Sequence, residues 1–285
     1  MSLTSIPTPI STEIQAHASF GDQDPGGHAD ITTESLQLET GDGFHLAGTL
    51  YLPVGQALGT VIINSATAVP QVFYRRYARY LAGAGMRVLT YDYRGIGQSR
   101  PDSLRGFRAT LSDWADHDAR AAFRFVSAGF PGAPLAFVGH SFGGQLIGLV
   151  DELRAARASV LVGAQLGYWG NWPAAERARY ALYWYGLVPA ITRVWGYLPG
   201  KAGLGADLPA GVALEWARWC RHPDYLFGHR ADAKERIARF DRPTLLYAFT
   251  DDAYAPSGAV QAFVRMAQNP RLELRTLRPS QLGVR

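Results

Sequence analysis

Gly139-His140-Ser141-Phe142-Gly143-Gly144 sets a serine among small residues where the hydrophobic pattern passes from strand to helix. Residues 135–138 read as a short buried strand and Gln145 onward as a helix. Gly-x-Ser-x-Gly in that setting is the signature of a sharp turn that presents a nucleophile. Such a turn strains the serine backbone. Glycines at 139 and 143 let strand and helix close around it, and the helix start aims free amides at the reacting centre. The chemistry expected is attack of a hydroxyl on an acyl carbon. The plainer reading is a tight glycine-rich turn with an incidental serine.

That chemistry needs partners. Thr250-Asp251-Asp252-Ala253-Tyr254-Ala255-Pro256 follows a late apolar run, where the acid of such a triad belongs. Asp252 is favoured over Asp251, because it lies four residues before a proline that opens the next helix. An Asx turn or helix cap is the alternative. A tetrahedral oxyanion needs two backbone donors. One is expected at Phe142. The other is expected at Thr67, with Ala66 as the alternative, in the loop Asn64-Ser65-Ala66-Thr67-Ala68-Val69-Pro70.

The base has no obvious owner. Histidines stand at positions 17, 28, 45, 117, 140, 222 and 229, and none follows the acid in sequence. His140 adjoins the serine, but neighbouring side chains in such a turn diverge, so it reads as structural. His117 reads as a surface or packing residue of a helix. His222 and His229 could serve only by folding over Ser141, an unusual origin for the base. No base histidine is therefore assigned within the chain.

The elements that must hold these residues alternate. Residues 35–39 and 44–52 alternate like a half-buried hairpin around the turn 40–43. Apolar runs at 60–63, 86–91, 135–138, 159–162, 243–249 and 272–277 read as strands. Helical spacing is seen at 72–83, 111–127, 145–156 and 257–267. In 72–83, Phe73, Tyr77, Tyr80 and Leu81 form the expected inward stripe. Strands alternating with helices of this length imply an α/β fold with a mostly parallel sheet. From about 165 to 240 the alternation stops, and six of the seven tryptophans fall there. That stretch reads as an inserted helical cap. Residues 1–32 read as a flexible tail, and 33–285 as one domain.

Bulk properties narrow the classes. The first 74 residues hold seven acids and no Lys or Arg, while the whole chain carries +4. The cations are dispersed, so no nucleic-acid partner is expected. The single cysteine, Cys220, reads as a buried thiol. With no disulfide, no signal segment and no membrane span, a cytoplasmic protein is expected. Gly95-Ile96-Gly97 lacks the third glycine of a dinucleotide loop and reads as a turn near the site mouth. No cofactor and no metal are expected.

These residues resemble the α/β-hydrolase superfamily and, within it, a bacterial group of predicted α/β hydrolases. The resemblance is carried by the 91–99 string Tyr-Asp-Tyr-Arg-Gly-Ile-Gly-Gln-Ser, the turn at 139–144, Gly-Tyr-Leu-Pro-Gly-Lys at 196–201, Asp-Leu-Pro-Ala-Gly-Val at 207–212, the 216–221 string and 250–256. It implies a serine hydrolase with an Asp and a His, acting on an ester, thioester or related acyl bond through an acyl-enzyme on Ser141. It further implies that the base would come from a Gly-His segment shortly after the last strand. On that reading the histidine loop and final helix are missing here, and apolar sheet surface would be left open. The expected partner is a small, apolar acyl substrate. The competing expectation is an impaired or non-catalytic ligand-binding relative.

Overall fold

The computed structural model describes residues 31–202 and 205–283. Most of the expected tail, with His17 and His28, lies outside the described residues. Its last two positions do not behave as tail, since β1 (Thr32–Glu39) already begins at Thr32. β1 pairs antiparallel with β2 (His45–Leu52), as the alternation implied. Thr40 closes the turn between them: its Oγ1 accepts the Phe44 N–H at 2.9 Å and donates to Asp42 Oδ1 at 2.5 Å.

The crossover units follow. β3 (Gly59–Asn64) is buried along its whole length. A short 3₁₀ turn (Gln71–Tyr74) leads into α1 (Arg75–Gly83), then β4 (Met86–Tyr91). Residues 111–129 form α2, and β5 (Leu135–His140) runs into the serine turn. After it come α3 (Phe142–Gln145) and β6 (Ala158–Val162).

Beyond β6 the chain leaves the sheet. It forms α4 (residues 174–195), the two-residue strands β7 (Tyr197–Leu198) and β8 (Leu208–Pro209), α5 (Ala210–Cys220) and α6 (Ala233–Ala238). It returns as β9 (Thr244–Phe249), α7 (Ser257–Ala267) and β10 (Leu272–Leu277). The eight-stranded sheet has the order β1-β2-β4-β3-β5-β6-β9-β10, and β2 alone runs opposite to the other seven strands. The order reverses between β4 and β5. In an open α/β sheet the crevice beyond the strand ends at such a reversal is where ligands bind.

Three elements depart from the sequence pattern. Of the stripe expected on α1, Phe73, Tyr77 and Tyr80 are exposed and only Leu81 packs against the core, while Tyr74, Ala78 and Ala82 are buried. Small alanines let α1 lie close over Val61, Ile63 and Val88, and the Tyr74 hydroxyl is satisfied by hydrogen bonds.

The helix expected over 145–156 is broken. α3 gives way to a 3₁₀ turn at Leu146–Gly148, Val150 is extended, and a second 3₁₀ turn spans Asp151–Ala155. Residues 142–150 are buried throughout, and exposed positions return only from Asp151. Arg236 Nη1 takes the Leu149 carbonyl at 2.6 Å.

α2 contains a π-turn at Trp114–Ala119 that buries Trp114, Ala115, Asp118 and Ala119 together. There Asp118, fully buried, accepts hydrogen bonds from the Arg94 N–H at 2.8 Å and from Arg94 Nε at 2.7 Å. The same guanidinium reaches Asp42 with Nη1 at 2.6 Å and Nη2 at 2.9 Å. One arginine thereby ties the β1–β2 turn, the loop after β4 and α2 together.

The Arg94 guanidinium holds the Asp42 carboxyl well below the usual carboxylate range. The folded value is the depressed one, so the pairing stabilises the fold above that range and its contribution is lost as pH falls. Asp42→Asn is therefore expected to flatten the acid limb of stability, read as urea midpoints from about pH 7 down to about pH 3. An unchanged slope would place the acid sensitivity elsewhere.

Most of the core lies between the sheet and the α2, α7 side. A smaller cluster lies under α1. On that second face Val160, Val162, Leu245, Tyr247 and Phe249 remain only half-buried.

Candidate active site

Ser141 adopts φ 50° and ψ −112°, a conformation non-glycine residues rarely take. The surrounding packing enforces it. A Cβ on Gly139 would meet the Gly143 carbonyl oxygen and the Gly144 backbone at 2.6 Å. One on Gly143 would drive into the Asn64 carbonyl, and one on Gly144 would stand 2.7 Å from Ala164 Cβ. Strand β3, strand β5 and α3 thus touch backbone to backbone around the serine. The Ser141 N–H is fixed on the Val162 carbonyl at 2.8 Å, which locks the turn to the end of β6.

Phe142 is held from its side chain. Its ring packs edge-on against Tyr93 and Trp114, with centroids 5.8 Å away in each case, and those two rings stack on each other at 4.7 Å. The three rings are fully buried, so the position of the Phe142 backbone is determined by rigid aromatic packing.

In the loop after β3, the Ala66 N–H donates to Tyr74 Oη at 2.9 Å. That commits the Ala66 N–H to Tyr74, while the Thr67 N–H has no hydrogen-bond partner among the described residues. The loop is further fixed by the Ala206 N–H on the Ala68 carbonyl at 2.8 Å. The chain leading to β8 therefore rests directly on it. Tyr74 was not legible as a site residue: nothing in the sequence separates it from its neighbours Phe73 and Tyr77. Tyr74→Phe would orphan the buried Ala66 donor. It is expected to cost about 1–3 kcal/mol in urea unfolding, against near-neutrality if the loop simply relaxes.

Asp252 lies in the turn after β9. Its Oδ1 accepts the N–H groups of Tyr254 at 2.8 Å and Ala255 at 2.9 Å. A Cβ built on Gly163 would stand 3.5 Å from Oδ2. Gly163 directly follows Val162, whose carbonyl holds Ser141, so the acid turn and the serine turn flank the same end of β6. Asp251 is exposed. Trp172 Nε1 at 3.0 Å and Tyr180 Oη at 3.3 Å both donate to the Ala253 carbonyl, which pins the acid turn beneath α4.

Among the described histidines, four have partners outside the serine turn. His140 Nδ1 lies 2.9 Å from Tyr74 Oη, and burial pushes its imidazole below the ordinary value, opposed by the Asp252 charge. His222 Nδ1 accepts the Asp224 N–H at 3.1 Å, and the His222 and His229 rings meet edge to face at 5.2 Å. His229 Nε2 lies 3.3 Å from the Arg218 carbonyl. His117 flanks Asp42 at 3.8 Å, in the Arg94 cluster.

Asp92 is a further buried carboxylate that the sequence left unmarked. It accepts the N–H groups of Gln71 at 2.7 Å and Gln98 at 2.9 Å, with Gln71 Nε2 at 3.1 Å. Burial pushes its carboxyl up while these bonds hold it down. Gly97 packs against that carboxylate and Gly95 against Pro209, so the 95–97 turn is filled by protein. Cys220 is buried beside Tyr225, and burial pushes its thiol well up, as befits a packing residue.

The family model described as "Alpha/beta hydrolase family" matches residues 61–280, most of the chain. The chain belongs to the alpha/beta hydrolase family. Solved structures agree on the fold. An esterase from Pyrococcus furiosus superposes with a TM-score of 0.59 at 16% identity, covering 92% of this chain and 90% of that one. Brefeldin A esterase, a bacterial homologue of human hormone sensitive lipase, gives 0.59 at 16%, with 96% and 79% covered. The esterase domain of a Rhodothermus marinus protein gives 0.51 at 19%, with 87% of each chain covered. No curated protein sequence matches the chain. Among the described residues, no helix of this hydrolase is long and apolar enough to cross a membrane.

Proposed function

We propose that the protein is a serine hydrolase acting on an ester, thioester or related acyl bond, with Ser141 as nucleophile. The strained φ and ψ of Ser141, enforced by backbone contact at Gly139 and Gly143, carry this reading. The serine hydroxyl attacks the acyl carbon. The N–H groups of Phe142 and Thr67 take the developing oxyanion, and Asp252 would orient the general base that receives the serine proton, a role assigned to no histidine of this sequence. The leaving group departs with that proton, and water then resolves the acyl-enzyme. Residues 165–240 are the cap in this reading, and its aromatics Trp184, Trp219 and Tyr225 belong to the buried core. The esterases named above support an acyl substrate by likeness of fold.

A second reading rests on the histidines. His140, His222 and His229 each have a partner other than Ser141: Tyr74, Asp224 and the Arg218 carbonyl. The chain would then be a catalytically impaired relative that keeps the pocket. Losing one member of a triad still leaves on the order of a thousandfold over water from the oxyanion hole and binding. Steady-state hydrolysis of p-nitrophenyl acetate separates the two. Fast turnover lost in Ser141→Ala supports the full enzyme. Turnover held to about a thousandfold over water, with an apolar acyl ligand still bound, supports the impaired relative.

A further inference from the structure

β10 stands last in the sheet order, and among the described residues no strand pairs with its outer edge. Its inner edge is visible in the hydrogen bonds: the carbonyls of Arg271 and Leu277 accept from Thr244 and Thr250. Backbone groups alternate along a strand. Leu272, Leu274 and Thr276 therefore turn their carbonyls outward, and Leu274 and Thr276 turn their N–H groups outward as well. The Leu272 N–H is used by the Asn269 carbonyl at 3.1 Å.

The side chains alternate too. Glu273, Arg275 and Leu277 share a face with Leu245, Tyr247 and Phe249 of β9, their register partners. Glu273 and Arg275 are exposed and bonded to each other at 2.7 Å. No proline interrupts the strand.

We propose that this edge is the docking site for a second copy of the chain, added antiparallel to β10 about a two-fold axis at Leu274. The charges select that register. Axes at Glu273 or Arg275 would set like charges opposite each other, which destabilises a pair. An axis at Leu274 sets Glu273 opposite Arg275 of the second copy, and Arg275 opposite Glu273 of the second copy. It also makes the Leu274 positions the hydrogen-bonded pair, as their outward N–H and C=O require. The Thr276 N–H then meets the Leu272 carbonyl of the second copy, and the reverse. The Glu–Arg pairs occupy the non-hydrogen-bonded positions, where side chains approach most closely. Leu274, which is 36% exposed, packs on its own symmetry mate. The interface is isologous and closes at two.

Sedimentation of the folded protein from about 1 to about 100 µM tests it, with far-UV circular dichroism as the fold control. The wild type is expected to form a dimer. Glu273→Arg is expected to weaken it at least about tenfold by opposing like charges on both sides. The charge swap Glu273→Arg with Arg275→Glu is expected to restore it. Leu274→Pro removes an outward donor that an edge strand tolerates losing, and is expected to be monomeric. A monomeric wild type, a dimer indifferent to Glu273→Arg or Leu274→Pro, or a swap that fails to restore association would each overturn the proposal.

Discussion

Gly143→Ala is expected to lower the melting temperature by roughly 6–12 °C, the equivalent of about 3 kcal/mol in a domain of this size. The added carbon meets main chain: the Asn64 carbonyl, whose carbon would lie 2.6 Å away. A side chain could swing aside, but a central strand paired on both edges cannot. β3 is hydrogen-bonded to β4 and β5, so relief would have to come from the turn itself. The substitution thus couples stability to the site, because the only element free to yield is the backbone presenting Ser141. Gly129→Ala is the matched control. Nothing lies within 4 Å of a Cβ there, and its φ needs no glycine. A near-neutral Gly143→Ala would mean that the turn is looser than its contacts.

Asp118→Ala is expected to cost about 3–5 kcal/mol in urea unfolding, the usual penalty for stripping one partner from a buried ion pair. Asp118 and Arg94 are both more than nine-tenths buried, and the carboxylate also satisfies the Arg94 N–H. Arg94 would keep Asp42, which is more than a third exposed, and would lie over the Phe44 ring at 5.1 Å. Replacing both partners, as Asp118→Leu with Arg94→Met, is expected to recover part of the loss, because no buried charge is then left alone. Trp114 Nε1 donates to the Arg94 carbonyl at 3.0 Å, and Trp114 packs against Phe142. The damage should therefore extend toward Phe142, next to Ser141. A cost of only about 1 kcal/mol would mark the pair as surface-like.

Local patterns in the sequence were enough for the strands and the serine turn. β9, α7 and β10 stand where apolar runs and helical spacing placed them, because each is a short element with one clear period. The glycines at 139 and 143 could be read because close backbone approach permits no other residue. What the sequence hid depends on contacts between distant segments. The inward face of α1 is chosen by two alanines and by a Tyr74 hydroxyl that finds Ala66 and His140, so the larger aromatics were the wrong guide. The π-turn in α2 exists to bring Asp118 under Arg94, a pairing that leaves no periodic trace. The run up to Val150 is buried throughout, and hydrophobicity alone cannot distinguish such a run from a buried helix. Asp92 and Tyr74 position the loops of the site through hydrogen bonds to backbone, and such bonds have no sequence signature.

The nucleophile is the central claim, and covalent labelling tests it most directly. The folded protein is exposed to a fluorophosphonate and followed by intact mass and peptide mapping, with Ser141→Ala in parallel. The expected result is one phosphonyl adduct on Ser141. It should accumulate slowly, because no histidine of the chain is assigned as its base, and it should be absent from the Ser141→Ala protein. An adduct on another residue, or none on Ser141 after prolonged exposure of the folded chain, would contradict the assignment of Ser141 as the nucleophile.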